Sequence, residues 1–354
     1  MGLLIIKWSI AIASLGLGII TQQSEKNIVP NIIVVLTDDQ GYGDLSCHRS
    51  PDVQTPSLDG MYDESVRFTD FHVSPTCAPS RAALLTGKYP FRNGISHTKY
   101  DRERLALKSV TIADRLKEKG YETGIFGKWH LGDEPEYQPG KHGFDEVFIH
   151  GGGGIGQDLP YTCADVPNNS YFDPVIKHNG TFVQTEGFCT DVFFRQALGW
   201  IKNKAKGDRP FFAWIATNAP HAPFVAPEKW KEKFKKAGYP EGAQGFYGMI
   251  ENIDYNMGIL LERIEAYGIE DNTAVIFMSD NGKSYKRDKK NPETTYNAGM
   301  KGFKTTPHRG GTRVPFFFKW PEVTKPGGTD IEVLAAHIDL YPTLCDISGI
   351  EQKG

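Results

Sequence analysis

Asn31-Ile32-Ile33-Val34-Val35-Leu36-Thr37-Asp38-Asp39 is an unbroken apolar, β-branched run that ends abruptly in a hydroxyl and two carboxylates. A strand with one wet face would alternate apolar and polar residues. A run without alternation fits a strand covered on both faces, as in a parallel sheet. Three further segments repeat the plan. Tyr121 to Phe126 leads into Gly127-Lys128-Trp129-His130, Pro210 to Thr217 into Asn218-Ala219-Pro220-His221, and Thr273 to Met278 into Ser279-Asp280-Asn281-Gly282. Helical patterns lie between them. Thr111 to Lys119 has Thr111 as a cap and Gly120 as a stop, and Asp191 to Lys204 is amphipathic. A longer helix shows Phe246, Ile250, Ile253, Met257, Leu260 and Ile264 on one face and stops at Gly268. Strands alternating with helices predict an α/β fold with a mostly parallel central sheet and helices on both faces.

Open α/β sheets collect their ligands outside the carboxyl ends of the strands. Asp38, Asp39, Lys128, His130, His221, Asp280 and Asn281 are therefore expected to converge on one crevice. Asp38, Asp39, Asp280 and Asn281 supply only oxygen donors, which favours calcium or magnesium over zinc. Adjacent aspartates repel each other unless a cation or basic side chains lie between them. Taken singly, Asp38-Asp39 could merely cap the next segment, and Asp280-Asn281-Gly282 could be an ordinary turn. Both pairs closing core strands favours the metal.

Cys77-Ala78-Pro79-Ser80-Arg81, continued by Leu84-Leu85-Thr86-Gly87, begins another helix. Pro79 suits a first turn, where its missing N–H would have no partner. The Cys77 side chain then sits at a helix N-terminus, where free N–H groups favour an anion, and Arg81 adds positive charge.

The 354 residues contain 40 basic and 43 acidic side chains, a net charge of −3. This balance gives no reason to expect nucleic acid, which calls for a basic domain. At the N-terminus, Lys7 precedes an apolar run from Trp8 to Ile20 and polar Thr21-Gln22-Gln23-Ser24. The run is short for a membrane span, so residues 1–24 are read as an export signal, with an uncleaved anchor as the alternative. Five cysteines are an odd count. Cys163 and Cys189 flank a loop-rich segment and could pair in an oxidising compartment. Asn168-Asn169-Ser170 and Asn179-Gly180-Thr181 are glycosylation sequons that matter only in a eukaryotic secretory protein. His150 leads Gly151-Gly152-Gly153-Gly154, read as a flexible loop at the cleft rim. Walker spacing is absent, and His150 to Cys189 is expected to be an excursion shaping substrate access. His48, His72, His97, His142, His178 and His337 read as surface or structural.

The string Cys-x-Pro-Ser-Arg followed by Leu-Leu-Thr-Gly resembles the signature of the type I sulfatases, whose cysteine is oxidised after translation to formylglycine (3-oxoalanine). Asp38-Asp39-Gln40-Gly41, Gly127-Lys128-Trp129-His130-Leu131-Gly132, Pro220-His221-Ala222-Pro223-Phe224 and Ser279-Asp280-Asn281-Gly282 resemble further motifs of that family, in the same order. The resemblance covers residue 30 or so to the end. It implies an alkaline-phosphatase-like fold, with 25–354 forming the catalytic domain. It also implies a calcium ion held by Asp38, Asp39, Asp280 and Asn281, with an oxygen of modified Cys77 nearby. Arg81 and Lys128 would stabilise the formylglycine hydrate with help from His130, while Lys128, His221 and a later lysine would meet the sulfate and the leaving oxygen.

That lysine is Lys304 by its spacing to Gly310-Gly311-Thr312-Arg313-Val314-Pro315, with Lys301 as the other candidate. The family commonly has an aromatic residue and a glutamate before the glycine pair, whereas this chain has His308 and Arg309. A cation there could strengthen sulfate binding or change the lysine's partner. The reaction implied is sulfate-monoester hydrolysis on a sulfated glycan or aryl alcohol, after maturation by a formylglycine-generating enzyme. A phosphomonoester or phosphonate monoester hydrolase, or a silent homologue with unmodified Cys77, are the alternatives. Ala336 to Leu344 resembles a late part of the family's large domain, so the smaller C-terminal subdomain is expected to be missing or truncated, with poor solubility or weak activity as the consequence. Nothing in the sequence identifies the organic part of the substrate or the oligomeric state.

Overall fold

The computed structural model describes residues 29–157, 163–287, 295–324 and 327–351. The export signal expected over 1–24 lies outside them. The strands are β1 (Asn31–Thr37), β2 (Val66–Phe68), β3 (Phe71–His72), β4 (Glu122–Lys128), β5 (Glu146–His150), β6 (Val175–His178), β7 (Thr181–Gln184), β8 (Phe211–Ala216), β9 (Thr273–Ser279), β10 (Phe316–Lys319), β11 (Thr329–Ile331) and β12 (Ala335–Ala336). The helices are α1 (Pro56–Glu64), α2 (Cys77–Thr86), α3 (Ile112–Glu118), α4 (Cys189–Lys204), α5 (Glu228–Lys236), α6 (Glu241–Ala266), α7 (Arg309–Thr312) and α8 (Leu340–Ile347).

Among the described residues, ten strands form one sheet in the order β11-β2-β10-β9-β1-β8-β4-β5-β6-β7. The run β9-β1-β8-β4-β5 is parallel throughout. β1 at its centre accounts for the unbroken apolar sequence. Ile32, Val34 and Leu36 join the core under α2, α3 and α8, while Ile33 and Val35 join the core under α1, α4 and α6. A strand buried on both faces has no position for a polar side chain.

The margins depart from the parallel plan. β10 is antiparallel to β9 and β2, and β6 is antiparallel to β5 and β7. The β6–β7 reversal is a two-residue hairpin through Asn179 and Gly180, both with positive φ. This is the conformation that Asn-Gly hairpin turns require. The Asn179 amide is built into the sheet: Oδ1 accepts the Val147 N–H at 2.8 Å. That sequon therefore encodes a turn.

Local signals set the helix ends. Thr111 and Asp114 form a reciprocal capping box at the start of α3, and Gly268 follows α6 with φ +69°. All five cysteines are free. The conjectured Cys163–Cys189 pair does not form, because Cys189 opens α4 inside the core while Cys163 lies exposed on the excursion. No helix among the described residues is long and apolar enough to cross a membrane.

Candidate active site

Register brings the polar strand ends together. In the parallel core Thr37 is paired with Ser279, Leu36 with Ala216, and Gly127 with Ala216, so β9, β1, β8 and β4 finish level. The residues just beyond them enter one crevice. Gly127 allows the tight approach of β4 to β8: with φ +108°, a Cβ there would lie 2.0 Å from the Ala216 carbonyl oxygen. Backbone bonds stitch the first and last loops together. The Asp39 N–H donates to Asp280 Oδ1 and the Gln40 N–H to Ser279 Oγ, both at 3.2 Å.

Cys77, the first residue of α2, is buried against these loops, with Sγ 3.4 Å from Asp38 Oδ1 and 3.7 Å from Asp39 Oδ1. One ligand atom from each of Asp38, Asp39, Cys77 and Asp280 lies within 4.8 Å of all the others. Basic groups surround this negative cluster. Lys128 Nζ meets Asp38 at 2.5 Å. The Arg81 guanidinium binds Asp280 through Nε at 2.9 Å and Nη2 at 2.8 Å, and its Nη1 donates to the Lys128 carbonyl. Lys304 Nζ lies 2.8 Å from Asp39 Oδ2 and 3.2 Å from Cys77 Sγ. Lys301 stays exposed three residues earlier.

Burial dominates the protonation states. Burial and the nearby Asp38 carboxylate push the Cys77 thiol well up, so the sulfur is held protonated. Burial would raise Asp39 too, yet Lys304, His221 and Lys128 outweigh it and keep the group ionised. Burial and Asp38 raise Asp280 to about 6, against the pull of Arg81. Three crowded carboxylates, one of them hard to ionise, make a cavity that a divalent cation would relieve. Asn281 supplies the fitting test: its Nδ2 donates to Asp39 Oδ1 at 2.8 Å, while its Oδ1 is buried with no hydrogen-bond partner. An oxygen-only donor set with one free amide oxygen fits a hard cation such as calcium.

The two histidines have different partners. His221 donates from Nδ1 to the Ala222 carbonyl at 2.6 Å and turns Nε2 toward Asp39 Oδ2, 3.8 Å away. Burial depresses it to about 4. His130 is buried with Nε2 near the Thr98 carbonyl at 3.1 Å and the Glu103 carboxylate at 3.2 Å. Glu103 escaped the sequence reading because it sits in the polar stretch 97–104, which looks like any surface loop.

Two expectations are corrected here. The Gly151–Gly154 loop is buried, and it forms a wall of the site rather than a flexible rim. A Cβ on Gly153 would stand 3.2 Å from His130 Cε1, and one on Gly154 3.5 Å from His221 Nδ1. The tightest contact for a Cβ on either glycine is the Gln157 side chain, 2.7 Å from Gly153 and 3.3 Å from Gly154, so the loop packs on Gln157 as well as on the two rings. Arg309 turns outward to Asp70 at 2.6 Å and adds nothing to the anion site, so Lys304 keeps Asp39 as its partner.

The sulfatase family model matches residues 30–350. N-acetylgalactosamine-6-sulfatase of Canis lupus familiaris is 33% identical over 348 residues, covering 91% of this chain and 62% of its own length. Arylsulfatase of Klebsiella aerogenes is 28% identical over 412 residues, covering 91% of this chain and 87% of its own. The crystal structure of Ps i-CgsB in complex with k-i-k-neocarrahexaose superposes with a TM-score of 0.80 at 30% identity, over 92% of this chain and 73% of that one. The chain thus spans 62% of the length of the mammalian relative. With the strand ends, the cysteine and the match over 30–350 in agreement, the chain belongs to the sulfatase family of the alkaline phosphatase superfamily.

Proposed function

We propose that the chain hydrolyses sulfate monoesters of a carbohydrate or aryl alcohol, with residue 77 working as formylglycine beside a calcium ion. The observation that carries this reading is the Lys304 ammonium 3.2 Å from Cys77 Sγ, at the edge of the buried carboxylate cluster. Asp38, Asp39, Asp280 and Asn281 would hold the ion, which when bound offsets substrate charge and polarises an oxygen. Formylglycine supplies a hydrated aldehyde whose second hydroxyl lets sulfate depart, an exit that a thiolate adduct lacks.

The remaining work belongs to the chain's own side chains. Arg81 and Lys128 neutralise Asp280 and Asp38 and lend positive potential to an arriving anion. The first turn of α2 offers backbone N–H groups at residue 77. Lys128, Lys304 and His221 would contact the sulfate. Lys304 is the proton donor to the departing alcohol, because His221 spends its N–H on the Ala222 carbonyl. His130 would help to remove the proton of the diol hydroxyl whose loss lets sulfate depart. In the same reading residues 1–24 direct export, 25–354 form the catalytic domain, and a formylglycine-generating enzyme matures Cys77. The sugar-sulfatase relatives favour a sulfated glycan.

The test is coexpression with a formylglycine-generating enzyme, peptide mass spectrometry, and rates on matched aryl sulfate, phosphate and phosphonate esters. Maturation lowers the mass of the residue 77 peptide by about 18 Da, and sulfate turnover should exceed the other two and vanish in Cys77→Ala. Faster phosphate or phosphonate turnover would assign the crevice to that chemistry. An unmodified Cys77 without turnover would leave a binding protein.

A further inference from the structure

We propose that Glu103 is a positioning residue for His130: together with the Thr98 carbonyl it fixes the ring proton on Nε2, leaves Nδ1 as the basic atom, and balances the charge when Nδ1 accepts a proton. The inference rests on the sulfate-ester reading for its kinetic consequence but not for the tautomer.

The geometry is unambiguous about the proton. A carbonyl oxygen can only accept, so the 3.1 Å contact from His130 Nε2 to Thr98 O puts the hydrogen on Nε2. Glu103 Oε2 lies 3.2 Å from the same nitrogen without hydrogen-bond geometry, so it favours a proton there through its charge. Nδ1 is buried and has no hydrogen-bond partner among the described residues. It is therefore the one ring nitrogen free to act. Glu103 itself is 1% exposed and ends the turn Tyr100–Glu103. Burying a carboxylate is costly unless something pairs with it. Here the 3.2 Å approach to His130 Nε2 becomes an ion pair only when the ring takes up a proton.

The ring has little freedom to reorient. It is 3% exposed, His130 has φ +60°, and the Gly153 backbone lies against one side, where a Cβ would stand 3.2 Å from Cε1 and 3.3 Å from Nε2. The charged groups facing it are Lys128, Arg81 and Glu103. Two are cations that oppose a positive imidazole, and burial opposes it further, holding the ring at about 4. Among these groups of the described residues, Glu103 favours the charged ring. A base surrounded by cations needs such a counterion if a proton is to move onto it during turnover.

Two measurements test this. In protein labelled with ¹⁵N-histidine, a long-range ¹H–¹⁵N spectrum, assigned with His130→Gln, should show a neutral Nε2–H ring at pH 7, and Glu103→Leu, which leaves only the Thr98 carbonyl, should admit a measurable fraction of the Nδ1–H tautomer; a variant that stays wholly Nε2–H would show that Thr98 alone sets the tautomer and overturn the role given to Glu103. A Nδ1–H ring in the wild type would overturn the proposal. In matured, calcium-loaded enzyme, Glu103→Gln keeps the shape and should lower kcat on an aryl sulfate by about tenfold or more with KM changed less than about threefold. The same substitution made in His130→Ala should cost less than about twofold, since coupled residues are not additive. Unchanged kcat, or equal losses in both backgrounds, would show that Glu103 acts only on the fold. A wild type that matures but turns over no sulfate ester defeats the functional reading, and the spectrum still decides the tautomer.

Discussion

At the level of single residues, chemistry turns on which lysine faces the thiol, and spacing alone left Lys301 and Lys304 in competition. Only Lys304 reaches Cys77 Sγ and Asp39; Lys301 is on the surface. Burial works against the Lys304 ammonium, but the Asp39 and Asp38 carboxylates raise its affinity for the proton well beyond that penalty. Lys304→Ala should therefore remove both a charge on the sulfate and a proton for the leaving group. A loss of about 10²–10³ in kcat/KM on an aryl sulfate is expected, with Lys301→Ala within about twofold of wild type. Comparable losses in the two variants would reverse the assignment. The motif residues were readable because each carries a rare pairing of residue types at a strand or helix end. Glu103 was not, because its meaning depends on a partner 27 positions away that only folding brings within 3.2 Å.

At the level of elements, the two loops bearing the carboxylates are joined by a buried ion pair as well as by hydrogen bonds. Lys283 follows the β9 loop and Asp44 follows the β1 loop; Nζ and Oδ1 are 2.5 Å apart, and both side chains are 1% exposed. Asp44 Oδ2 also accepts the Gly41 N–H, and Lys283 lies 5.4 Å over the Phe246 ring. Removing one partner of such a pair strands the other charge. Lys283→Met should cost about 3–5 kcal/mol in urea unfolding and weaken calcium binding by calorimetry, because the spacing between Asp38-Asp39 and Asp280-Asn281 loosens. Asp44→Asn added to Lys283→Met should recover part of the loss. A Lys283→Met protein with undiminished stability and calcium affinity would show that the loops hold their spacing without the clamp. The parallel core was legible because apolar runs buried on both faces leave no alternation to misread. β10, with Phe316-Phe317-Phe318-Lys319, is too short a run to declare its direction. The Gly151–Gly154 loop misled for a physical reason: glycine permits mobility, but it equally permits close packing.

At the level of the whole molecule, the balance of buried titratable groups sets the pH range in which the fold is stable. His150 at the end of β5 is fully buried and stacked on Phe193, with ring centroids 6.0 Å apart. Burial lowers it to about 3, with Lys128 and Arg81 adding to the shift. Asp254 runs the other way: burial raises it to about 6, although it accepts the Leu58 N–H at 2.8 Å. The signs follow from linkage. A histidine whose folded value is depressed contributes stability that is complete above its ordinary value near 6.5 and is lost as pH falls toward 3. A carboxylic acid whose folded value is raised contributes stability below its ordinary value that is lost as pH rises through 6. Because the histidine ring is neutral and stacked on Phe193, His150→Phe keeps its bulk and its stacking while deleting the titration, at the cost of the Nδ1 hydrogen bond to the Gly151 carbonyl. Between pH 7 and pH 4.5 the variant should gain on the wild type by about 2–3 kcal/mol in urea melts, and Asp254→Asn should flatten the opposite slope between pH 4 and 6. If wild type and His150→Phe lose stability in parallel as the solution is acidified, His150 protonates without unfolding anything and the acid sensitivity must reside elsewhere.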